Sequence, residues 1–484
     1  MAKTVAKLIF IPSPGIGHIN STIQIAKLLL KRDQRLSITV FVIKPPPGSA
    51  ITNHTKSLTN KALGRIHFVE LPQDEVLPKP DPEAPMTFIN QFIKYHCKYV
   101  RNFVKDMMNQ SSNCQVVGFV IDMFCVSMMD VANEFNVPTY VYFTSNAAFL
   151  GYKLHLQSLF DTKNLDIFEL SNSDSQIRVP SFVKLVPTKV FPAVYQTQEG
   201  LDFLVYCIRK FRETKAIIVN TFLELETHAI ESLSSDISFP PVYAVGPVLN
   251  LDGISGEVQD EDVMNWLDSQ PPSSVVFLCF GSIGSFDEIQ VKEIARALEQ
   301  SGQRFVWSLR RPSQPGNALE ATNDYENPRV VLPEGFLDRI AGVGKVIGWA
   351  PQVAILAHPA VGGFVSHCGW NSMLESIWFG VPTATWPMYA EQQMNAFEMV
   401  VELGLAVEIK LDYKKDVFNP NREVTIVTAE EIQNGIQRLM EDSKIRANVK
   451  EISKMSRETV TQGGSSYASI GCLIQDFMSN QNAL

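Results

Sequence analysis

The sequence predicts an α/β protein made of two doubly wound units, each a parallel sheet covered by helices on both faces. Three observations carry this. Short runs of β-branched and aliphatic residues alternate with helical patterns along almost the whole chain. The runs are apolar throughout instead of alternating with polar residues, as in strands buried on both faces. The pattern also occurs twice, first from residue 5 and again from near Ser274, and 484 residues suffice for two or three domains.

In the first unit, strands are expected over 6–11, 37–43, 116–121, 139–143 and 216–219. In the second they are expected over 275–280, 304–309 and 361–365. Helices are expected over 19–31, 87–108, 123–135, 287–301, 371–379, 391–403 and 429–440. Residues 246–262, rich in Gly and acids, read as a linker, and 312–328 as a surface loop. The expected division is therefore 1–245, the linker 246–262, 263–464, and a final helix within 465–484.

Composition narrows the function. Hydrophobic residues make up 45% and charged ones 19%, which supports large cores and argues against disorder. The net charge is −9 with no basic stripe, so no nucleic-acid partner is expected. The apolar runs are too short to span a bilayer, and the chain opens on a strand instead of a signal peptide, so no membrane insertion is expected. Asn20-Ser-Thr and Asn53-His-Thr match a glycosylation pattern that carries little meaning without secretion. Seven cysteines without a C-x-x-C read as reduced thiols in a cytoplasmic protein, with a monomer as the default.

The first chemical signal follows the first strand. P-S-P-G-I-G leads to His18 at the start of an amphipathic helix, just beyond the strand's carboxyl end, where open α/β sheets bind ligands. Asp122 ends the run Q-V-V-G-F-V-I-D at the equivalent place on another strand. Imidazole is the natural base near neutral pH, and a carboxylate can orient it and stabilise its protonated form. Alone, His18 could equally be structural, and Asp122 could cap the helix that follows.

The second signal runs from Trp349 to Gln392: W-A-P-Q-V-A-I-L-A-H-P-A-V-G-G-F-V-S-H-C-G-W-N-S-M-L-E-S, continuing to A-E-Q. Trp349 is an aromatic slab. Gly369 permits close backbone approach, and Asn371 and Ser372 are suited to a helix start, which presents free N–H groups to a phosphate. Glu375, about one turn further on, could accept hydrogen bonds from sugar hydroxyls. The Gly-rich loop F-G-S-I-G-S also follows a strand.

This stretch closely resembles the donor-binding box of plant family-1 UDP-glycosyltransferases, especially those that glucosylate flavonoids, other phenolics and triterpenoids. The resemblance extends over nearly the whole chain. It implies the GT-B architecture, two Rossmann-like domains facing a cleft, with the last helix returning to the N-terminal domain. It also implies that His18 deprotonates the acceptor hydroxyl with Asp122 in support. Trp349 would stack on uracil, with the Ala350 backbone and Gln352 at the base or ribose and Glu375 on the ribose hydroxyls. Ser282, His367, Asn371 and Ser372 would hold the diphosphate, with His367 and the helix dipole offsetting its charge. Trp370, Glu391 and Gln392 would face the hexose, and Thr144 could touch its 6-hydroxyl. The closing Gln392 after Glu391 is the pattern associated with glucose. UDP-glucose is then a co-substrate, with no metal or other cofactor. Asp260 and Asp262 have D-x-D spacing, but precede an apolar helical turn where acids are expected electrostatically.

The acceptor is expected against Gly15, Phe124 and Phe149, with Tyr389 contributing from the second unit, and against segments near 80–95 and 180–205. Two other classes compete. A nicotinamide-dependent dehydrogenase is disfavoured because P-G-I-G-H lacks the third Gly, position 20 being Asn, and no acidic ribose ligand follows the second strand. A non-catalytic binding protein on the same scaffold would be expected to lack His18 or Asp122, and both are present.

Overall fold

The computed structural model describes residues 5–44, 64–73, 77–78, 81, 84–110, 114–163, 170, 173–251, 261–312, 322–415 and 425–482. Asn53, Asp260 and parts of the expected linker, of the 312–328 loop and of the acceptor segment near 80 lie outside them.

Seven parallel strands form the first sheet: β1 (Val5–Ile11), β2 (Leu36–Val42), β3 (Ile66–Glu70), β4 (Cys114–Asp122), β5 (Thr139–Phe143), β6 (Ala216–Val219) and β7 (Val242–Ala244). Their spatial order is β3-β2-β1-β4-β5-β6-β7. Six more form the second: β8 (Val275–Cys279), β9 (Arg304–Ser308), β10 (Gly344–Ile347), β11 (Val361–Ser366), β12 (Thr383–Thr385) and β13 (Ala406–Glu408). Their order is β10-β9-β8-β11-β12-β13, also all parallel. Each order reverses direction beside its first strand, between β1 and β4 and between β8 and β11. Such switch points open a crevice at the carboxyl ends of the strands.

The two-residue period of a strand sorts the core into layers. Leu8 and Phe10 of β1 pack on one face with the C-terminal helix, while Ile9 and Ile11 join a cluster that continues into the second unit. Likewise Val275 and Phe277 belong to that shared cluster, whereas Val276 and Leu278 face the outer helices. The helix Glu288–Ser301 shows the local logic. The Asp287 side chain accepts a hydrogen bond from the Gln290 N–H at 2.9 Å, and Gly302 at φ 64° ends the helix.

The last helix, Ser465–Ser479, lies on the first sheet. Ser466 Oγ donates to the Gly246 carbonyl at 2.5 Å, Lys215 pairs with Asp476 at 3.1 Å, and Phe477 meets Tyr140 edge-on at 4.6 Å. The Arg32 guanidinium sits 3.1 Å over the Tyr467 ring.

Several elements depart from expectation. The helix expected over 87–108 is two helices, Pro85–Tyr95 and Cys97–Gln110, broken at His96. The one expected over 123–135 is shortened to Met128–Glu134, because Asp122–Cys125 is a turn in which Asp122 O accepts from Cys125 N. Part of the expected 312–328 loop is paired, with Asn323–Asp324 antiparallel to Arg310–Arg311. Among the described residues, no helix is long and apolar enough to cross a membrane.

Candidate active site

Sheet register places the first pair. Ile11 of β1 lies opposite Ile121 of β4, so Asp122 is carried to the end of β1. The helix Ile16–Arg32 begins there, with His18 in its first turn. His18 Nδ1 stands 2.7 Å from Asp122 Oδ2, and Asp122 Oδ1 accepts the Phe124 N–H at 3.0 Å. Both carboxylate oxygens are thus fixed. A carboxylate only accepts, so Nδ1 carries the proton and Nε2 presents its lone pair. Burial works to lower the His18 pKa, but the charge and hydrogen bond of Asp122, with the charge of Glu391, carry it above the ordinary 6.5.

The surroundings of His18 come from both units. A side chain at Gly15 would put its Cβ 3.1 Å from the His18 ring, and one at Gly17 would come 3.5 Å from Asn371 Nδ2 of the second unit. Phe124 is tilted against His18 at 5.6 Å, while Phe149 is buried one helix further on. Ser145 Oγ donates to Glu391 Oε1 at 3.4 Å, which brings Glu391 to the N-terminal side of the cleft. Thr144 is placed differently from the expectation of a free sugar contact. Its hydroxyl oxygen is buried, 3.0 Å from His18 Nδ1, and shares that proton with Asp122.

The second constellation gathers at the start of the helix Trp370–Phe379. Gly369 is its N-cap and makes no side-chain cap, so the first N–H groups have no intrahelical partner. Cys368 reaches the turn at φ 66°, a conformation an L-residue rarely adopts outside functional sites. Facing it, Gly281 has φ 76°, and a Cβ there would stand 2.6 Å from His367 Nε2. Two backbones therefore close around one imidazole. Burial pushes the His367 pKa down to about 4, and its Nδ1 is enclosed without a partner, as is Asn371 Oδ1. Burial thus works against the charge that the diphosphate role expects of His367.

Gln352 organises the next turn. Its Nε2 donates to Ser372 Oγ at 2.9 Å and to Glu375 Oε2 at 2.7 Å. Burial raises the Glu375 pKa to about 7, opposed by that hydrogen bond. The Ala350 carbonyl accepts the Gln352 N–H at 2.8 Å. Trp349 is 49% exposed, an uncovered aromatic face. Arg310 backs it, 5.0 Å from the ring centroid, and is itself anchored to Asp324 at 2.6 Å. Sequence reasoning missed Arg310, since nothing in L-R-R marks it. Only the pairing of Arg310–Arg311 with Asn323–Asp324 brings it under the ring.

The structure commits Trp370 elsewhere than expected. Its side chain is 2% exposed and its indole N–H donates to the Asn220 carbonyl at 2.7 Å. The indole ties the two units together. Gln392 is buried, and its side-chain oxygen accepts the Met388 and Tyr389 N–H groups at 2.9 and 3.0 Å. Tyr389 lies 6.5 Å from the His367 ring. Ser282, in the loop with Gly281, uses its carbonyl to accept the Thr322 N–H at 3.2 Å. His358 is held by Asp268 at 3.1 Å, away from this constellation. Asp262 pairs with Lys345 at 2.5 Å. Among the described residues, no three His, Cys, Asp or Glu side chains are gathered as metal ligands.

Comparison with known proteins points the same way as this geometry. The family described as "UDP-glucoronosyl and UDP-glucosyl transferase" matches residues 235–462. A UDP-glucose flavonoid 3-O-glucosyltransferase 6 of Fragaria ananassa is 53% identical over 484 residues, covering 97% of this chain and 98% of its own. The crystal structure of a UGT transferase from Siraitia grosvenorii in complex with UDP superposes with a TM-score of 0.84 at 48% identity, covering 98% of this chain and 100% of its own. That of Medicago truncatula UGT71G1 complexed with UDP-glucose also reaches 0.84, at 42% identity and 98% of both chains.

Proposed function

Since the chain belongs to the plant family-1 UDP-glycosyltransferases, GT-B enzymes that glycosylate small metabolites from UDP-glucose, we propose that it glucosylates a phenolic or triterpenoid hydroxyl by a single inverting displacement. The observation that carries the reading is the His18–Asp122 pair at 2.7 Å, facing Glu391 and the open helix start at Gly369 across one cleft.

His18 Nε2 takes the acceptor proton as the oxygen attacks the anomeric carbon of UDP-α-glucose. The C–O bond to UDP breaks on the opposite face, so a β-glucoside results and no enzyme nucleophile is required. Asp122 stabilises the imidazolium that forms. The free N–H groups after Gly369, with His367, Asn371, Ser372 and Ser282, receive the diphosphate. Trp349 stacks on uracil beside Ala350 and Gln352. Glu375 takes the ribose hydroxyls, and Glu391 and Gln392 the hexose.

Residues 1–245 then hold the acceptor and 263–464 the donor, joined by 246–262, with 465–484 returning to the first domain. Gly15, Phe124, Phe149 and Tyr389 form the acceptor walls. A monomer in the cytosol is the proposed setting. Cys97, Cys114, Cys125, Cys207, Cys279, Cys368 and Cys472 are free thiols, which agrees with a reducing compartment.

The test is UDP release with UDP-glucose and a panel of hydroxylated aglycones, the product anomer being read by NMR. A β-glucoside supports the mechanism. An α-glucoside overturns it, and faster transfer from UDP-galactose or UDP-glucuronate overturns the glucose assignment.

A further inference from the structure

The helix Ala147–Lys163 buries a lysine among aromatic rings. Lys153 is 2% exposed, yet among the described residues its Nζ makes no hydrogen bond and no ion pair. Aromatic rings surround it instead: Phe143 at 5.5 Å, Phe211 at 5.7 Å, Phe149 at 5.8 Å and Tyr195 at 6.0 Å. Burial lowers the Lys153 pKa, opposed by the charges of Cys207, Glu391 and Asp122. Ring faces attract an ammonium, but they do not replace the hydrogen bonds its three N–H groups lose on leaving water.

The Tyr152 hydroxyl is enclosed without a partner, and its ring stacks on Phe149 at 5.9 Å. Lys153 Nζ is not among the wholly enclosed, unpartnered atoms, so it borders accessible space. The position is close to the chemistry. Phe143 immediately precedes Thr144, whose hydroxyl touches His18. Phe149 and Lys153 are four residues apart and share a helix face, with Lys153 one turn further in.

We propose that Lys153 forms the inner end of the acceptor pocket, where it docks a hydrogen-bond-accepting oxygen of the aglycone, a carbonyl or a carboxylate. The inference rests on the acceptor reading given above and narrows its substrate class. An ammonium only donates, so its complement is an oxygen that accepts. An aglycone without that oxygen would leave the ammonium dry and unpaired, which makes the site selective.

The experiment uses saturating UDP-glucose and two matched acceptor pairs: 7-hydroxyflavone against 7-hydroxyflavan, and 4-hydroxycinnamate against 4-propenylphenol. The wild type is expected to favour the oxygen-bearing member of at least one pair by about tenfold in kcat/KM. Which pair responds separates carbonyl from carboxylate. Lys153→Met should abolish that preference through KM, with kcat kept within about twofold for the oxygen-free acceptor. It should also keep or raise Tm, since an unpaired buried charge is removed. A wild type without preference in either pair, or a Lys153→Met enzyme that retains the preference, overturns the proposal. So does an equal loss with all acceptors and a fall in Tm, which would make Lys153 a clamp for the helix. Absence of transfer to all four phenols would instead overturn the acceptor reading on which the proposal rests, and the proposal with it.

Discussion

At the scale of single residues, the two titrating groups of the cleft separate by which kinetic parameter they govern. His18 must be unprotonated to act as base, and its pKa lies above 6.5 because Asp122 and Glu391 outweigh desolvation. The rate should therefore fall as pH drops through a value above 6.5. In Asp122→Asn the carboxylate charge is gone, so the acid limb should move to lower pH while turnover decreases. An unmoved limb at wild-type turnover would remove Asp122 from the mechanism. His18→Ala should cost about 10²–10⁴-fold in kcat, while UDP binding stays intact by calorimetry. Glu375 belongs to the other parameter. With a pKa of about 7, it gains a proton as pH falls through neutrality and loses acceptor capacity for the ribose. The donor KM should rise below pH 7, and Glu375→Gln should flatten that rise without shifting the kcat limb. A donor KM independent of pH in the wild type would place Glu375 outside the site.

At the scale of elements, the phosphate cradle depends on two loops that meet at His367. Gly281 carries φ 76°, and its Cβ would stand 2.6 Å from the imidazole. Gly281→Ala should therefore strain the loop after β8 and displace His367. UDP affinity is expected to fall about tenfold or more with a lowered Tm, and unchanged calorimetric affinity would show the loop is not part of the cradle. This cradle also marks how far the sequence could be read. The repeated apolar runs made both sheets legible, because strands buried on both faces need no alternation. His18 and Asp122 were legible because Asp122 ends one strand and His18 opens the helix that follows another. Five strands were not: β7, β12 and β13 because three residues carry no periodicity, and β3 and β10 because polar or Gly residues interrupt their apolar runs. The helix Ala147–Lys163 was missed because apolar residues run around it instead of along one face. Trp370 and Thr144 were expected at the sugar, and the sequence did not show that the indole also reaches Asn220 and the hydroxyl His18. Such partners lie far along the chain, 150 and 126 residues away, where local spacing carries no information. Arg310 was invisible for the same reason.

At the scale of the whole molecule, the two domains meet through polar groups as well as through a shared apolar cluster. Asn146 Nδ2 donates to Asn395 Oδ1 at 2.7 Å, and Glu402 accepts the Val183 and Lys184 N–H groups at 3.0 and 2.6 Å. Between these lies a buried acid pair, Glu226 of the first domain and Glu398 of the second, each 3% exposed. Glu226 accepts the Ala147 and Ala148 N–H groups at 3.1 and 2.7 Å, at the start of the helix that carries Lys153. Burial raises the Glu226 pKa, opposed by the neighbouring Thr221 and Glu398 side chains and by the Ala148 and Ala147 N–H groups. Burial raises that of Glu398 further, and the charges of Glu226 and Glu402 add to it, with no cation among the causes. Both carboxyls are therefore held above the usual carboxylate range, Glu398 the more strongly. The native state binds protons that the unfolded chain releases above about pH 4.5. Stability from this pair is greatest below that pH and is lost as pH rises towards the folded pKa values, at up to about 1.4 kcal/mol per pH unit for each proton. Glu398→Gln supplies a neutral donor without the proton. It should raise Tm at pH 8 by about 1–3 °C and lessen the fall in Tm between pH 5 and 8, with little change at pH 5. Thermal melts across that range decide the matter. A Glu398→Gln variant destabilised equally at pH 5 and pH 8 would mean that the carboxyl is held for its shape, and that the domain interface carries no proton.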